Sequence, residues 1–481
     1  MSGCAMRWVA IAVGAHLLTV LLIALGEPAM RAHPVAGVIL TAFFAATLPL
    51  IARRSARWAR AGNVALAALV LVFAASRVAW VLTVSTQPVS DFAGYHALAV
   101  MFSQGKVTTW WPLGTSVAAW GYPFALGQVL RILPRGADGL LVAKLLNVVA
   151  GLAALVLLYR VADRAAGRRS ALLAALLFVA WPGELFFTSV LASEHLAVVA
   201  LLLAVDLVLP LLGDRPPGWA RAALAGVVLA AAFLIRSALI VALPCVAVAL
   251  LASHRPTRRA AALALVVGAT FLLATRASVV GLRKAYGVTP VSSAWWSLLT
   301  GTNVDSDGSF STADRDRFFA HRSIAEADAF ARAEIVRRLT TEPMRLARLF
   351  WRKSINLWRA DDYACFWSTV RLADTGPTPD GAAHAAMDVA AQSFHLAVLA
   401  LAVLGCWRSA RSRVAPGIAL MLFLIAAGTL LHALLESQAR YHFVMQPWVL
   451  VLAALGARVP GRAASAGPLA PGALPTTRAS V

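Results

Sequence analysis

A chain of 481 residues that is 60% hydrophobic and only 14% charged, with mean hydropathy +0.75, carries more apolar surface than a soluble domain of this size can bury. That makes it a polytopic membrane protein. Its net charge of +21 does not point to nucleic acid, because the arginines stand in short clusters between apolar runs, as topology signals do.

Apolar runs of spanning length fall at about 8–26, 34–51, 63–84, 138–159, 170–189, 195–212, 260–280, 388–406, 416–434 and 442–457. The stretch 220–252 is too long for one crossing, and Arg236 divides it into two short ones. The expectation is an all-α bundle of about 12 transmembrane helices. The first run lacks a clear A-x-A cleavage site, so it reads as an uncleaved span. The four cysteines form no CxxC pair, so they indicate neither a zinc site nor a disulfide framework.

With both termini cytoplasmic, the short inside loops 52–61, 160–169, 214–221, 253–259 and 407–415 hold sixteen Lys/Arg. The short outside connections hold only Arg31, Arg236 and Arg440. This asymmetry sets the orientation and turns two longer segments outward. The first, 85–137, reads as helices in the membrane interface with Trp110, Trp111 and Trp120 as headgroup anchors. The second, 281–387, is polar, with a helix in "SIAEADAFARAEIVRRLTTEP" and a membrane-surface helix in "RLARLFWRKSINLWRADD". The Ala/Gly/Pro-rich tail 459–481 reads as a disordered cytoplasmic extension. Domain expectations are an added hairpin over 1–62, a core over 63–280, the outer loop 281–387 and C-terminal spans over 388–458.

Charged residues at the outer helix mouths are the candidates for chemistry. Asp91 and Tyr95 in "SDFAGYHALA" are four apart and share a helix face. Asp91 or Ser90 could simply cap the helix. An outward carboxylate could also act as a general base or hold a divalent metal such as Mg or Mn. Glu194 and His195 open the sixth span on the same side, either suiting the helix dipole or joining Asp91 around a metal. The cations Arg77, Arg236, Arg440 and Lys353 suit an anionic phosphate, and each alone could instead anchor a helix end.

These segments, in this order, resemble the GT-C glycosyltransferases, particularly relatives of protein O-mannosyltransferases and the lipid A aminoarabinose transferase. The likeness spans residues 63–457 and rests on "SDFAGYHALA", "GYPFALGQVLRILP", "SEHLA", "LIRSALIVALP", "GTNVDSDGSF", "RLARLFWRKSINLW" and "ESQARYHFVMQP". The family's usual Asp-Glu pair is absent, since Phe92 follows Asp91.

What the resemblance implies is a GT-C-like bundle in the bacterial cytoplasmic membrane that uses a polyprenyl-phosphate sugar donor. The acceptor is a glycan, lipid or protein hydroxyl, and no nucleic acid is involved. Asp91 takes the family's first-loop catalytic position and deprotonates the acceptor, which attacks the anomeric carbon with inversion. Arg77, Arg236, Arg440 or Lys353 hold the leaving phosphate, with Tyr95, Glu194, His195 and Tyr441 around the substrate. Asn303 lines the acceptor side unless "GTNVDSDGSF" is only a turn. The rivals are a transporter or flippase of lipid-linked saccharides and an inactive envelope protein. A transporter needs ionisable groups at the midplane, and Asp206 is read as the acidic residue well inside a span.

Overall fold

Lipid leaves a polypeptide no partner for its N–H and C=O groups, so apolar runs must close their hydrogen bonds internally as helices. The computed structural model describes residues 3–58, 62–108, 120–134, 138–213, 218–253, 257–288, 290, 293–371, 381–412 and 414–458, and among them there is no strand. Trp110, Trp111 and the tail 459–481 lie outside the described residues.

The protein is an all-α polytopic membrane protein. Eight helical stretches are long and apolar enough to cross a membrane: Cys4–Ala24, Pro34–Ile51, Gly62–Thr83, Gly139–Ala166, Glu194–Leu212, Arg258–Tyr286, Gly381–Arg411 and Pro416–Leu434. The remaining apolar runs form shorter helices, Arg168–Ala180, Trp219–Ile235, Ala242–Ser253 and Gln446–Ala457. The break between two of them is where the sequence placed it. Arg236 is extended, and a 3₁₀ turn Ser237–Val241 follows.

The run 170–189 breaks in a way its hydropathy does not announce. Trp181 ends one helix and Pro182 starts the short helix Pro182–Phe187, since proline suits a first turn but cannot continue a helix. This turn carries Glu184, fully buried, a second acidic residue inside an apolar run besides Asp206. Asp206 is clamped by Arg160 at 2.9 Å and by Arg164.

The polar segment between the spans holds five helices among the described residues: Ala294–Gly301, Thr312–Phe319, Ile324–Thr341, Pro343–Asn356 and Tyr363–Thr369. Ser293, Ser311 and Ser323 start the first three by accepting from the backbone N–H three residues on. Helix Pro343–Asn356 buries Leu346, Leu349 and Lys353 and leaves Trp351 and Arg345 exposed, the amphipathic division expected of it.

After the span Gly62–Thr83, helices Ser90–Gln104 and Gly121–Arg131 pack on each other. Trp120 differs from its expected role as a headgroup anchor. It is buried, packed with Phe102, Leu98 and Leu282, because the helix it precedes docks against the bundle. That docking needs Gly121, where a Cβ would stand 2.7 Å from the backbone of Leu234, at the end of the helix that leads to Arg236.

Cysteines placed singly at Thr312 and Ser412 of an otherwise cysteine-free chain test the orientation, since both positions are exposed. In intact cells an impermeant thiol reagent is expected to label the first and spare the second. The reverse pattern would overturn the assignment.

Candidate outward-facing active site

Two ion pairs from distant parts of the chain meet around Tyr441. Asp91 lies in the first turn of helix Ser90–Gln104, whose N-cap is Val89, so neither Ser90 nor Asp91 serves as the cap. Its carboxylate instead accepts from Nη2 of Arg440 at 2.9 Å. The Asp91 side chain is 55% exposed and that of Arg440 only 8%, so the acid faces solvent while its partner is rooted in the protein. Ser90 holds φ +51°, a left-handed conformation that non-glycine residues rarely adopt and that sites rather than scaffolds tend to keep.

The second pair is Glu194 with Arg236, at 2.7 Å. Ser193 donates to Glu194 at 3.4 Å rather than capping the helix. Tyr441 joins the two pairs: the guanidinium of Arg236 lies 5.0 Å from its ring centroid and that of Arg440 5.3 Å. Phe92 and Trp367 supply further faces for Arg440, at 5.2 and 5.6 Å. The hydroxyl of Tyr441 donates to Glu436 at 3.3 Å. Tyr95 completes the group. Burial pushes its hydroxyl up to about 12, with Asp91 and Glu194 adding to the rise and Arg236 and Arg440 opposing it.

The other sequence candidates sit elsewhere. Arg77 is buried and its Nε donates to Glu184 at 2.7 Å; Nη1 reaches the carbonyl of Val179 at 2.8 Å. Its charge is answered inside the bundle. His195 packs between the rings of Phe187 and Phe443, with no hydrogen-bond partner for either nitrogen. Asp91, Glu194 and His195 are not brought together around one ion position. Among the described residues the sets that do converge are Asp361, His395 and His442, and Cys365, His384 and Asp388.

Asn303 shapes its own loop. Its Oδ1 accepts from the N–H groups of Asp305 and Ser306, and its Nδ2 donates to Asp314 at 2.8 Å. Lys353 is fully buried and donates to the carbonyl of Gly301 at 2.7 Å. Burial lowers it to about 7, with Glu436 pulling the other way. Its stem fills the space over Gly308, which has φ +68° and where a Cβ would meet the Lys353 chain at 2.5 Å.

Sequence reading missed Glu184, Trp367, Glu436 and Asp361. Glu184 had a signal, an acid inside an apolar run that needs a buried cation. Trp367 and Asp361 carried none, since their partners Arg440 and His442 are far away in sequence, whereas Glu436 meets Tyr441 five residues on.

No protein-family model matches the chain, and no curated protein matches it. Solved structures with a similar course of helices include the archaeal oligosaccharyltransferase AglB of Archaeoglobus fulgidus in complex with an inhibitory peptide and a dolichol-phosphate. That comparison has 15% identity and a TM-score of 0.47 over 82% of this chain and 50% of that one. The apo form of the Archaeoglobus fulgidus oligosaccharyltransferase gives 14% identity and a TM-score of 0.48, over 82% and 50% of the two chains. ArnT of Cupriavidus metallidurans bound to undecaprenyl phosphate gives 12% and 0.31, over 81% and 77%. The chain thus spans about half the length of the archaeal enzyme.

Proposed function

We propose that the protein is an integral membrane glycosyltransferase that transfers a sugar from a polyprenyl-phosphate donor to an acceptor hydroxyl on the outer face of a bacterial cytoplasmic membrane. The observation that carries this reading is the pairing of a solvent-facing Asp91 with a buried Arg440 next to a second guanidinium, Arg236. The residues involved are those of the motifs through which the sequence resembles the GT-C enzymes. In this reading the hairpin 1–62 is an addition to a core that begins at 63.

The chemistry follows from the placement of charge. The acceptor O–H gives its proton to Asp91 as its oxygen forms a bond to the anomeric carbon. The bond from that carbon to the phosphate oxygen breaks, and polyprenyl phosphate leaves with the electron pair and one more negative charge. Arg440 and Arg236 face that charge. The Nε–H of Arg440 is buried without a hydrogen-bond partner, a vacancy costing about 1–3 kcal/mol that a phosphate oxygen would offset. Burial of the cations costs nothing further at the moment of reaction, which is how preorganised charge favours a transition state. A transporter reading is less well supported, because Asp206 is already neutralised by two arginines.

The test is transfer from defined polyprenyl-phosphate sugars by the protein in nanodiscs, for wild type, Arg440→Lys and Arg236→Lys. A bidentate phosphate contact demands the guanidinium fork, so lysine is expected to cost roughly ten- to a hundredfold in donor affinity or turnover at one of the two positions. Both variants within about twofold of wild type would place the phosphate elsewhere. Saccharide translocation without any transfer would sink the enzyme reading.

A further inference from the structure

We propose that Asp361, His395 and His442 hold a structural zinc ion that ties the outer loop to the transmembrane bundle directly behind the turn carrying Arg440 and Tyr441. Asp361 comes from the link before helix Tyr363–Thr369, His395 from the helix Gly381–Arg411, and His442 from the 3₁₀ turn Ala439–Val444. All three are fully buried, and their ligand atoms lie within 4.8 Å of one another.

Hydrogen bonds to the backbone decide which nitrogens are available. Nδ1 of His442 donates to the carbonyl of Leu357 at 2.9 Å, and Nε2 of His395 to the carbonyl of Trp358 at 2.6 Å. A carbonyl only accepts, so in neutral rings the opposite nitrogens carry lone pairs. These are Nε2 of His442 and Nδ1 of His395. The carboxylate of Asp361 is oriented likewise: its Oδ2 accepts from Nε1–H of Trp181 at 2.7 Å, which leaves Oδ1 to face His442 at 3.2 Å.

Two acceptors that close, out of water, repel unless a positive species stands between them. A proton on His442 would answer that contact but leave Nδ1 of His395, buried and without a hydrogen-bond partner, unexplained. One divalent ion answers all three atoms. Imidazoles held by backbone carbonyls on the far nitrogen are how proteins orient metal-binding histidines. Zinc takes such N and O ligands at roughly 2.0–2.2 Å, which asks the three atoms to draw together by small movements. Trp358 stacks on His442, and Tyr363 stands edge-on to it. Such walls close the site to substrate and make it structural.

Because Arg440 and Tyr441 directly precede His442, the ion would fix the turn that presents them to Asp91. The rim set of Cys365, His384 and Asp388 is a built-in control. There no backbone carbonyl fixes the tautomer, and a neutral His384 is answered without an ion: Nδ1–H donates to Asp388 at 3.2 Å and Nε2 accepts from the Cys365 thiol at 3.6 Å.

The experiment is elemental analysis of the full chain purified without chelators from zinc-supplied cells. Wild type is expected to carry about one zinc per chain, and His395→Gln under about a tenth. Asp91→Asn and His384→Gln should keep it, which separates this site from the transfer chemistry and from the rim set. A strong chelator should lower the wild-type unfolding temperature, and added zinc should restore it. Wild type without zinc and indifferent to chelator would overturn the proposal, as would zinc retained in His395→Gln or lost only in His384→Gln. Should His395→Gln not fold, the metal content and chelator response of wild type decide alone.

Discussion

Asp91→Asn is expected to lower the transfer rate by roughly 10²–10⁴-fold while leaving the protein folded. Asparagine keeps the size of the side chain and an oxygen for Arg440, so the turn around Ser90 has no steric reason to change. What it removes is basicity. The acceptor hydroxyl then has no group to take its proton as the new glycosidic bond forms. The exposed position of the carboxylate makes this a clean test, since few packing contacts are lost with the charge. The measurement is the single-turnover rate with donor saturating, with elution volume as the check on folding. A folded Asp91→Asn protein that transfers at the wild-type rate would remove Asp91 from the mechanism, and the proton would have to go elsewhere.

Breaking the Arg77–Glu184 pair is expected to have the largest effect on stability. Both side chains are almost fully enclosed, at 2% and 1% exposure. Arg77→Leu leaves a buried carboxylate facing apolar groups, and removing one partner of such a pair costs about 3–5 kcal/mol. Glu184→Leu leaves the guanidinium only its carbonyl and hydroxyl contacts at Val179, Phe178 and Ser76. The double variant Arg77→Leu/Glu184→Leu should recover most of the loss, because two leucines need no solvation and can pack against Phe73 and Phe178, which lie stacked beside the pair. Denaturation in detergent of the two single variants and the double one gives the coupling directly. Donor affinity per folded molecule should stay unchanged throughout. An Arg77→Leu protein of normal stability and weakened donor binding would mean that Arg77 serves the phosphate after all.

The helices were legible because hydropathy and the lipid constraint leave little choice. A run such as 139–166 can only be a helix, and the break at Arg236 is announced by one charge in the middle of 220–252. The expected orientation rests on arginine clusters read loop by loop, and thiol labelling at Thr312 and Ser412 decides it. The shorter helices were less legible. At Trp181–Pro182 the apolar run continues unchanged while the backbone breaks, and only the proline marks it.

Residue types are thus properties of the sequence by itself: acids at 91 and 194, and cations at 236 and 440. Which of them meet is not. Asp91 and Arg440 are 349 positions apart, Arg77 and Glu184 107, and Asp361 and His442 81. The sequence puts Arg77 inside the run 63–84 and Arg440 just before the run 442–457, and offers both equally as cations for a phosphate. Packing separates them, because the broken helix at Pro182 delivers a carboxylate to one, and the 3₁₀ turn before the last helix leaves the other facing a solvent-exposed acid. A charge in a protein of this kind is defined by its nearest counter-charge, and nearness in a bundle depends on how helices pack, which no local pattern encodes.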